Sequence, residues 1–403
     1  MNLLIIPTST TTREWSNDFQ SVYSFENESV CFTEQDVSEY SKHKVKQTIK
    51  VEATACFVVQ KGGAFQSENP QVRVLLSRGR FLFVDVDEAQ MKGLSKHNDT
   101  CWHLEPLCDY KVVSRAVKAS PNGRLQLDRH FEIDKLRLER HLGKLCIGGT
   151  RFTFSNEYME ALRYCDDQLV TMGYEVERMD FEVRFNGIQR TTHNLVARKV
   201  GVVNAAKTFV VCAHLDSINK NGVDLDAPGS DDNASGSAGV LEIAQQLAQG
   251  KYQNSIEFVL FGAEELGLHG SKHYVAEFPS TKEIIGVINM DMIGRKNDEE
   301  FGLLIEGHSV STKLVEKLSQ IAANHTDLSV VVSFNPFNSD HVSFIEAGYP
   351  ALLTIEGSDS ANMDIHTEKD VLEIIDYELM QRILLANTLC VHDALVVANG
   401  LPS

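Results

Sequence analysis

Three short apolar runs constrain this 403-residue chain more than any other feature. They are Phe209–Ala213, Ile256–Phe261 and Ile284–Met290, each rich in Val, Ile or Phe and of strand rather than helix length. Helical stretches separate them, notably Ser235–Gln249 and Glu265–Glu277. Continuous apolar strands that alternate with helices are the pattern of a parallel sheet covered on both faces. A fourth such run is Ala351–Ile355, and a helix from about Asp376 to Ala398 closes the chain. The expected fold class is α/β, with a mixed, mostly parallel central sheet and helices on both faces.

The style of the sequence changes near residue 145. From Ser155, a predicted N-cap, apolar residues recur at helical spacing until Gly173. Strands are predicted at Val176–Arg184 and Asn194–Lys199, with a turn at Asn186-Gly187. Upstream, strands are expected at Val51–Gln60, Val72–Leu76 and Arg80–Val86, with a short helix start at Asp87–Met91. The acid-rich Asp85–Glu88 reads as a solvated turn. Two domains follow: residues 1–145, a small α+β domain, and residues 146–403, an α/β domain. The first carries no motif. A prodomain, a substrate-restricting cap and an interaction module all remain open for it.

Composition bounds the partners. With 43% hydrophobic and 23% charged residues the chain buries a normal core. A net charge of −18 argues against nucleic acid and against an anionic membrane surface, since both select basic surfaces. No run reaches the ~18–20 apolar residues of a membrane span. The apolar stretch Leu3–Ile6 has no preceding Lys or Arg and is stopped by Pro7, a poor secretory signal. Cytoplasm is the default expectation, with secretion the alternative if a leader was removed. The eight cysteines are dispersed without a C-x-x-C pair, which disfavours a zinc ribbon. Cys101 and Cys108 are left open as a bridge or two free thiols.

Each apolar run leads into titratable residues. The first ends at His214-Leu215-Asp216, the second at Glu264-Glu265 and the third at Asp291. Open α/β sheets bind ligands beyond the carboxyl ends of their strands. Two loops add Asp231-Asp232-Asn233, before a helix, and Asp364-Ile365-His366. Singly, each has a bland alternative: Asp232 or Asn233 as a helix cap, Glu264-Glu265 as a solvated first turn, Asp291 or His366 as a satisfied core residue. Jointly, two His and three carboxylates with one carboxylate bridging suit two divalent ions ~3.5–4 Å apart. Imidazole favours zinc, and carboxylates also admit manganese or cobalt. The carboxylate left over beside a ligand is what a general base needs, and adjacent Glu264 and Glu265 can divide those roles. Asp216 is placed to orient the His214 imidazole.

At these residues the sequence resembles the M28 family of co-catalytic zinc aminopeptidases, over about residues 150 to 398. The motifs are His214-Leu215-Asp216, Pro228-Gly229-Ser230-Asp231-Asp232-Asn233-Ala234-Ser235-Gly236, Glu264-Glu265-Leu266-Gly267, Asn289-Met290-Asp291-Met292 and Ile365-His366-Thr367. The resemblance implies a zinc exopeptidase fold. It implies that His214 and Asp291 hold different sides of a dinuclear site, that Asp232 rather than Asp231 bridges, that Glu265 and His366 complete the ligands, and that Glu264 is the base. Asp291 and His366 are 75 positions apart, which leaves no room for the dimerisation domain of the related M20 family. One departure is the loop Phe334-Asn335-Pro336-Phe337-Asn338-Ser339-Asp340-His341. It keeps Ser-Asp-His but lacks the cysteine pair and tyrosine that some secreted members carry there.

The implied function is a two-zinc aminopeptidase acting on peptides, with Glu264 activating a water. A carboxypeptidase or another amidohydrolase on the same site is the first rival. A non-catalytic binding protein is the second, and no ligand or base that would mark it is missing.

Overall fold

The computed structural model describes residues 1–7, 18–94, 101–120 and 130–395. The described residues form eighteen strands, numbered in chain order. The first ten are β1 (Asn2–Pro7), β2 (Ser21–Ser24), β3 (Glu28–Thr33), β4 (Gln47–Lys50), β5 (Thr54–Gln60), β6 (Arg73–Arg78), β7 (Phe81–Val86), β8 (Trp102–Pro106), β9 (Tyr110–Val112) and β10 (Arg115–Val117). The others are β11 (Glu175–Phe185), β12 (Ile188–Lys199), β13 (Asn204–His214), β14 (Asn254–Phe261), β15 (Glu283–Met290), β16 (Gly302–Glu306), β17 (Ser329–Ser333) and β18 (Ala351–Glu356).

Packing divides the chain into two units. The first comprises Met1–Ala116, Val331–Phe337 and Ser358–Met363; the second comprises Val117–Val330, Asn338–Gly357 and Asp364–Ser403. The division therefore falls earlier than the change of sequence style at 145. The helix Lys135–Leu145 lies in the second unit because Arg137 pairs with the buried Glu242 there, Nε to Oε2 at 2.7 Å and Nη2 to Oε1 at 2.8 Å.

The first unit holds two sheets, in the orders β4-β1-β3-β2-β9 and β6-β7-β5-β8. The apolar Leu3–Ile6 stretch is strand β1, paired on both sides and buried. Strands β5 and β7 show why alternation matters. Phe57, Val59, Phe81 and Phe83 enter one core cluster with Tyr23 and Phe32. Cys56, Val58, Leu82 and Val84 enter another with Phe65 and Trp102. The two far segments complete the unit. Phe337 joins the first cluster, Asn335 Nδ2 donates to the carbonyls of Val112 and Val113, and Asp359 pairs with Arg80 at 3.1 Å, both side chains 2% exposed. Asp85, expected in a solvated turn, is instead buried. Its oxygens accept from the Glu52 and Ala53 amides at 2.8 and 2.9 Å, and Arg73 stands 3.2 Å away. That network makes its burial tolerable.

Within the second unit the sheet order is β16-β18-β15-β13-β14-β12-β11. Strands β14, β13, β15 and β18 are parallel in sequence of neighbours, while β12 and β16 run antiparallel to theirs. The expected mixed, mostly parallel core is thus present. Asn186 and Gly187 form the β11–β12 turn with φ of +49° and +78°, the pair of left-handed residues that an Asn-Gly hairpin supplies cheaply. The Asn156–Thr171 helix begins at Ser155, whose Oγ accepts the Tyr158 amide at 3.0 Å. Tyr274 and Phe344, from short helices, pack with Val210, Cys212, Val259 and Val287 of the sheet. Helices Gly236–Leu247, Thr312–His325 and Tyr377–Leu395 pack together; the expected end of the last, at Ala398, lies outside the described residues. No disulfide joins the cysteines among the described residues, and no described helix is long and apolar enough to cross a membrane.

Candidate metal centre

His214 is the last residue of β13, and Asp291 follows β15 directly. Glu264 and Glu265 lie three and four residues beyond β14. Asp232 sits in the Ser230–Ser235 turn at a non-helical φ/ψ of −106°/89°, and the Asp232–Asn233 peptide is cis. His366 occupies the loop that follows β18 and the 358–363 segment. Three adjacent strands of the sheet thus deliver four of these groups, and two loops deliver the rest.

They converge on Asp232. Its Oδ1 lies 3.2 Å from His214 Nε2 and its Oδ2 3.1 Å from His366 Nε2. Asp291 Oδ1 stands 3.4 Å from His214 Nε2, and Glu265 Oε2 stands 3.0 Å from His366 Nε2. The structure therefore groups Asp291 with His214 on one side of Asp232 and Glu265 with His366 on the other. That differs from the expectation that His214 and Asp291 take different sides; both leave neighbouring parallel strands at the same level. Glu264 Oε2 lies 3.9 Å from His214 Nε2, near the cluster yet outside the closest contacts.

The donor set fits a cation. His214 Nδ1 faces the Asp216 carbonyl oxygen at 3.1 Å, which assigns a proton to Nδ1 and leaves Nε2 as the nitrogen that faces the cluster. Nε2 points at two carboxylates and meets them with a second proton or with a cation between. Four carboxylates and two imidazoles share a space where Asp232, Glu264, Glu265 and Asp291 are at most 8% exposed. Buried acids of this number require positive charge. The electrostatics show the same demand. Burial alone drives the His214 pKa down, but Glu264, Asp216, Asp232 and Asp291 overcome it and hold the imidazole well above its usual range. Burial raises Asp232 too, yet its contacts with both imidazoles carry it well below the carboxylate range. Glu265 is raised by burial.

Outer contacts fix these groups. Asp370 accepts the Asp231 and Asp232 amides, one on each oxygen, at 2.8 and 2.9 Å. Asp216 does the same for Glu264 and Glu265, at 3.2 and 3.3 Å. The His214 ring is thus held by the Asp216 carbonyl, while the carboxylate, 3.7 Å from Nδ1, holds the base-bearing dipeptide instead. Ser339 donates to Asp291 Oδ2 at 2.7 Å, and Asn289 donates to Ser339. Asn233 takes the capping role that was open between it and Asp232: its Oδ1 accepts the Gly236 amide at 2.8 Å. Asp231 turns away, accepting the Gly294 amide at 2.8 Å and bonding to Glu356. Burial and the nearby Asp370 push it up to about 8. Asp370 was not anticipated, although it sits four residues past His366; the polar stretch Thr367-Glu368-Lys369-Asp370 gives no sign that its last acid is buried.

Residues 194–389 match Peptidase family M28. That segment of the chain is similar to M28 peptidases. Leucine aminopeptidase 1 of Trichophyton equinum is 32% identical over 215 residues, covering 49% of this chain and 56% of that protein. The chain thus spans little more than half the length of the curated relatives it matches. Among solved structures, a zinc aminopeptidase from Bacillus subtilis shares the fold, with a TM-score of 0.59 at 18% identity over 68% of this chain and 98% of that one. A glutaminyl cyclase from Porphyromonas gingivalis does so too, with a TM-score of 0.56 at 18% identity over 66% and 100%.

Proposed function

We propose that the M28-like domain is a metallo-aminopeptidase that holds two zinc ions and releases N-terminal residues from peptides. The observation that carries this reading is Asp232, one oxygen toward each imidazole. His214 and Asp291 would hold one ion, His366 and Glu265 the other, and Asp232 both. Two divalent charges offset four buried carboxylates. When bound, zinc supplies a Lewis acid at the scissile carbonyl and lowers the pKa of water toward neutrality. Glu264 takes the proton of the attacking water and returns it to the leaving amine. The Asp216 clamp on the Glu264 and Glu265 amides keeps base and ligand in a fixed relation, so that one carboxylate serves the proton while its neighbour serves the metal.

The test is a peptide panel with the zinc-loaded protein. Free N-termini should release amino acids, chelator should abolish release, and N-acetylated peptides should be inert. Glu264→Gln should retain metal and lose turnover by ~10²–10⁴-fold. Release from the C-terminus, or ammonia release from N-terminal glutamine without amino-acid release, would replace aminopeptidase by carboxypeptidase or cyclase. Full activity in Glu264→Gln would remove the base assignment.

A further inference from the structure

Arg151 is buried to 1% exposure, and its guanidinium serves main-chain carbonyls from three separate segments. Nε donates to Leu215 O at 2.7 Å, Nη2 to Gly229 O at 2.8 Å, and Nη1 to Pro228 O at 2.5 Å and Leu145 O at 3.3 Å. The main chain ties the same point. Arg151 N donates to Ser217 Oγ at 2.9 Å, Ser217 N donates to Arg151 O at 3.2 Å, and Ser217 Oγ donates to Ala227 O at 2.7 Å. Leu215 adjoins His214, and Gly229 stands three residues before Asp232.

We infer that Arg151 is a positioning residue that sets the placement of His214 relative to Asp232. The inference rests on the metal-centre reading above. A guanidinium is a planar fork with five donors of fixed geometry, so one side chain prescribes the spacing of the two irregular stretches that leave β13 and enter the Asp232 turn. There is no slack to absorb its loss. Gly229 has φ of +53°, and a Cβ there would lie 2.4 Å from Asp232 O, 2.6 Å from Ser217 Cβ and 3.0 Å from Arg151 Nη2. A guanidinium that merely satisfied buried loop carbonyls would sustain stability. One that fixes the ligand spacing sustains metal affinity beyond its share of stability, because a dinuclear site tolerates only small errors in ligand placement.

The test compares Arg151→Lys and Arg151→Met with Leu318→Ala. Leu318 is a fully buried core residue of the Thr312–His325 helix and controls for general destabilisation. Zinc affinity of the metal-free proteins is measured by competition with a chromophoric chelator, with kcat, KM and Tm alongside. Both Arg151 variants are expected to bind zinc at least ~10-fold more weakly and to lose kcat with KM little changed. Leu318→Ala should lower Tm comparably while leaving zinc affinity as in wild type. Wild-type affinity and kcat in Arg151→Lys, or an equal loss in Leu318→Ala, would overturn the inference. Should Arg151→Met not fold, Arg151→Lys alone decides it. Failure of the wild type to bind zinc or cleave peptides would instead overturn the underlying functional reading.

Discussion

Replacing Asp370 with Asn changes charge and acceptor count at nearly constant shape. In the native structure each carboxylate oxygen takes one main-chain N–H, from Asp231 at 2.8 Å and Asp232 at 2.9 Å, in a side chain 1% exposed. Asn keeps one acceptor and turns an amino group toward the second N–H. One charge-assisted hydrogen bond becomes an ordinary one, a loss of about 1 kcal/mol. The other amide is left buried without an acceptor, at about 1–3 kcal/mol. The metal-free protein should therefore lose ~2–4 kcal/mol of unfolding free energy. Because the freed amide belongs to the dipeptide that carries Asp232, zinc affinity should fall on the order of 10–100-fold. Denaturant unfolding followed by far-UV circular dichroism gives the first quantity, a chelator competition the second, and hydrogen exchange at the Asp231 and Asp232 amides localises both. An unfolding free energy within ~0.5 kcal/mol of wild type, together with unchanged zinc affinity, would refute the clamp.

Three further outcomes follow from other residues. Arg80→Met leaves Asp359 buried without its cation and should destabilise the protein by ~3–5 kcal/mol, read by denaturant unfolding; the double change Arg80→Met with Asp359→Leu should recover much of it. His141 is buried against Tyr164, and burial with Arg140 and Arg137 pushes its pKa down to about 4. Below its unfolded value the unfolded chain takes up a proton that the folded chain refuses, so stability present above about pH 6.5 is lost as pH falls toward 4, and His141→Gln should flatten the pH–stability curve across that window. Ser155→Ala removes the acceptor for the Tyr158 amide and should cost ~0.5–2 kcal/mol in the same unfolding measurement.

The sheet of the second unit was legible because its strands are buried on both faces, and Phe209–Ala213 or Ile256–Phe261 admit little else. Among the ligand candidates, His214, Glu265 and Asp291 were legible because they sit where those runs stop, and Asp232 and His366 because two loops gather polar residues around them. What connects the ligands was not. Asp370, Asn233 and Arg151 act through main-chain groups of distant residues, and a polar side chain that serves a remote backbone looks in sequence like one that serves water. The double-acceptor use of Asp216 was hidden for the same reason. The first unit was only partly legible: its strands show in the alternation of β5 and β7, but Asp85 reads as a surface acid until the amides of Glu52 and Ala53 are placed beside it.

The composition of the first unit has a consequence for synthesis. Its aromatic core includes Phe337 and its buried cation Arg80 answers to Asp359, so residues 1–116 do not contain all that they need. On a ribosome adding ~5–20 residues per second, about 250 residues must be made after Ala116 before Met363 exists, a wait on the order of 10–50 s. Through that interval Phe57, Phe83 and their neighbours lack a finishing layer and Arg80 lacks its anion. The nascent first unit thus waits with part of its core open, and a stop codon anywhere before 363 yields a first unit that is incomplete although every one of its first 116 residues is present.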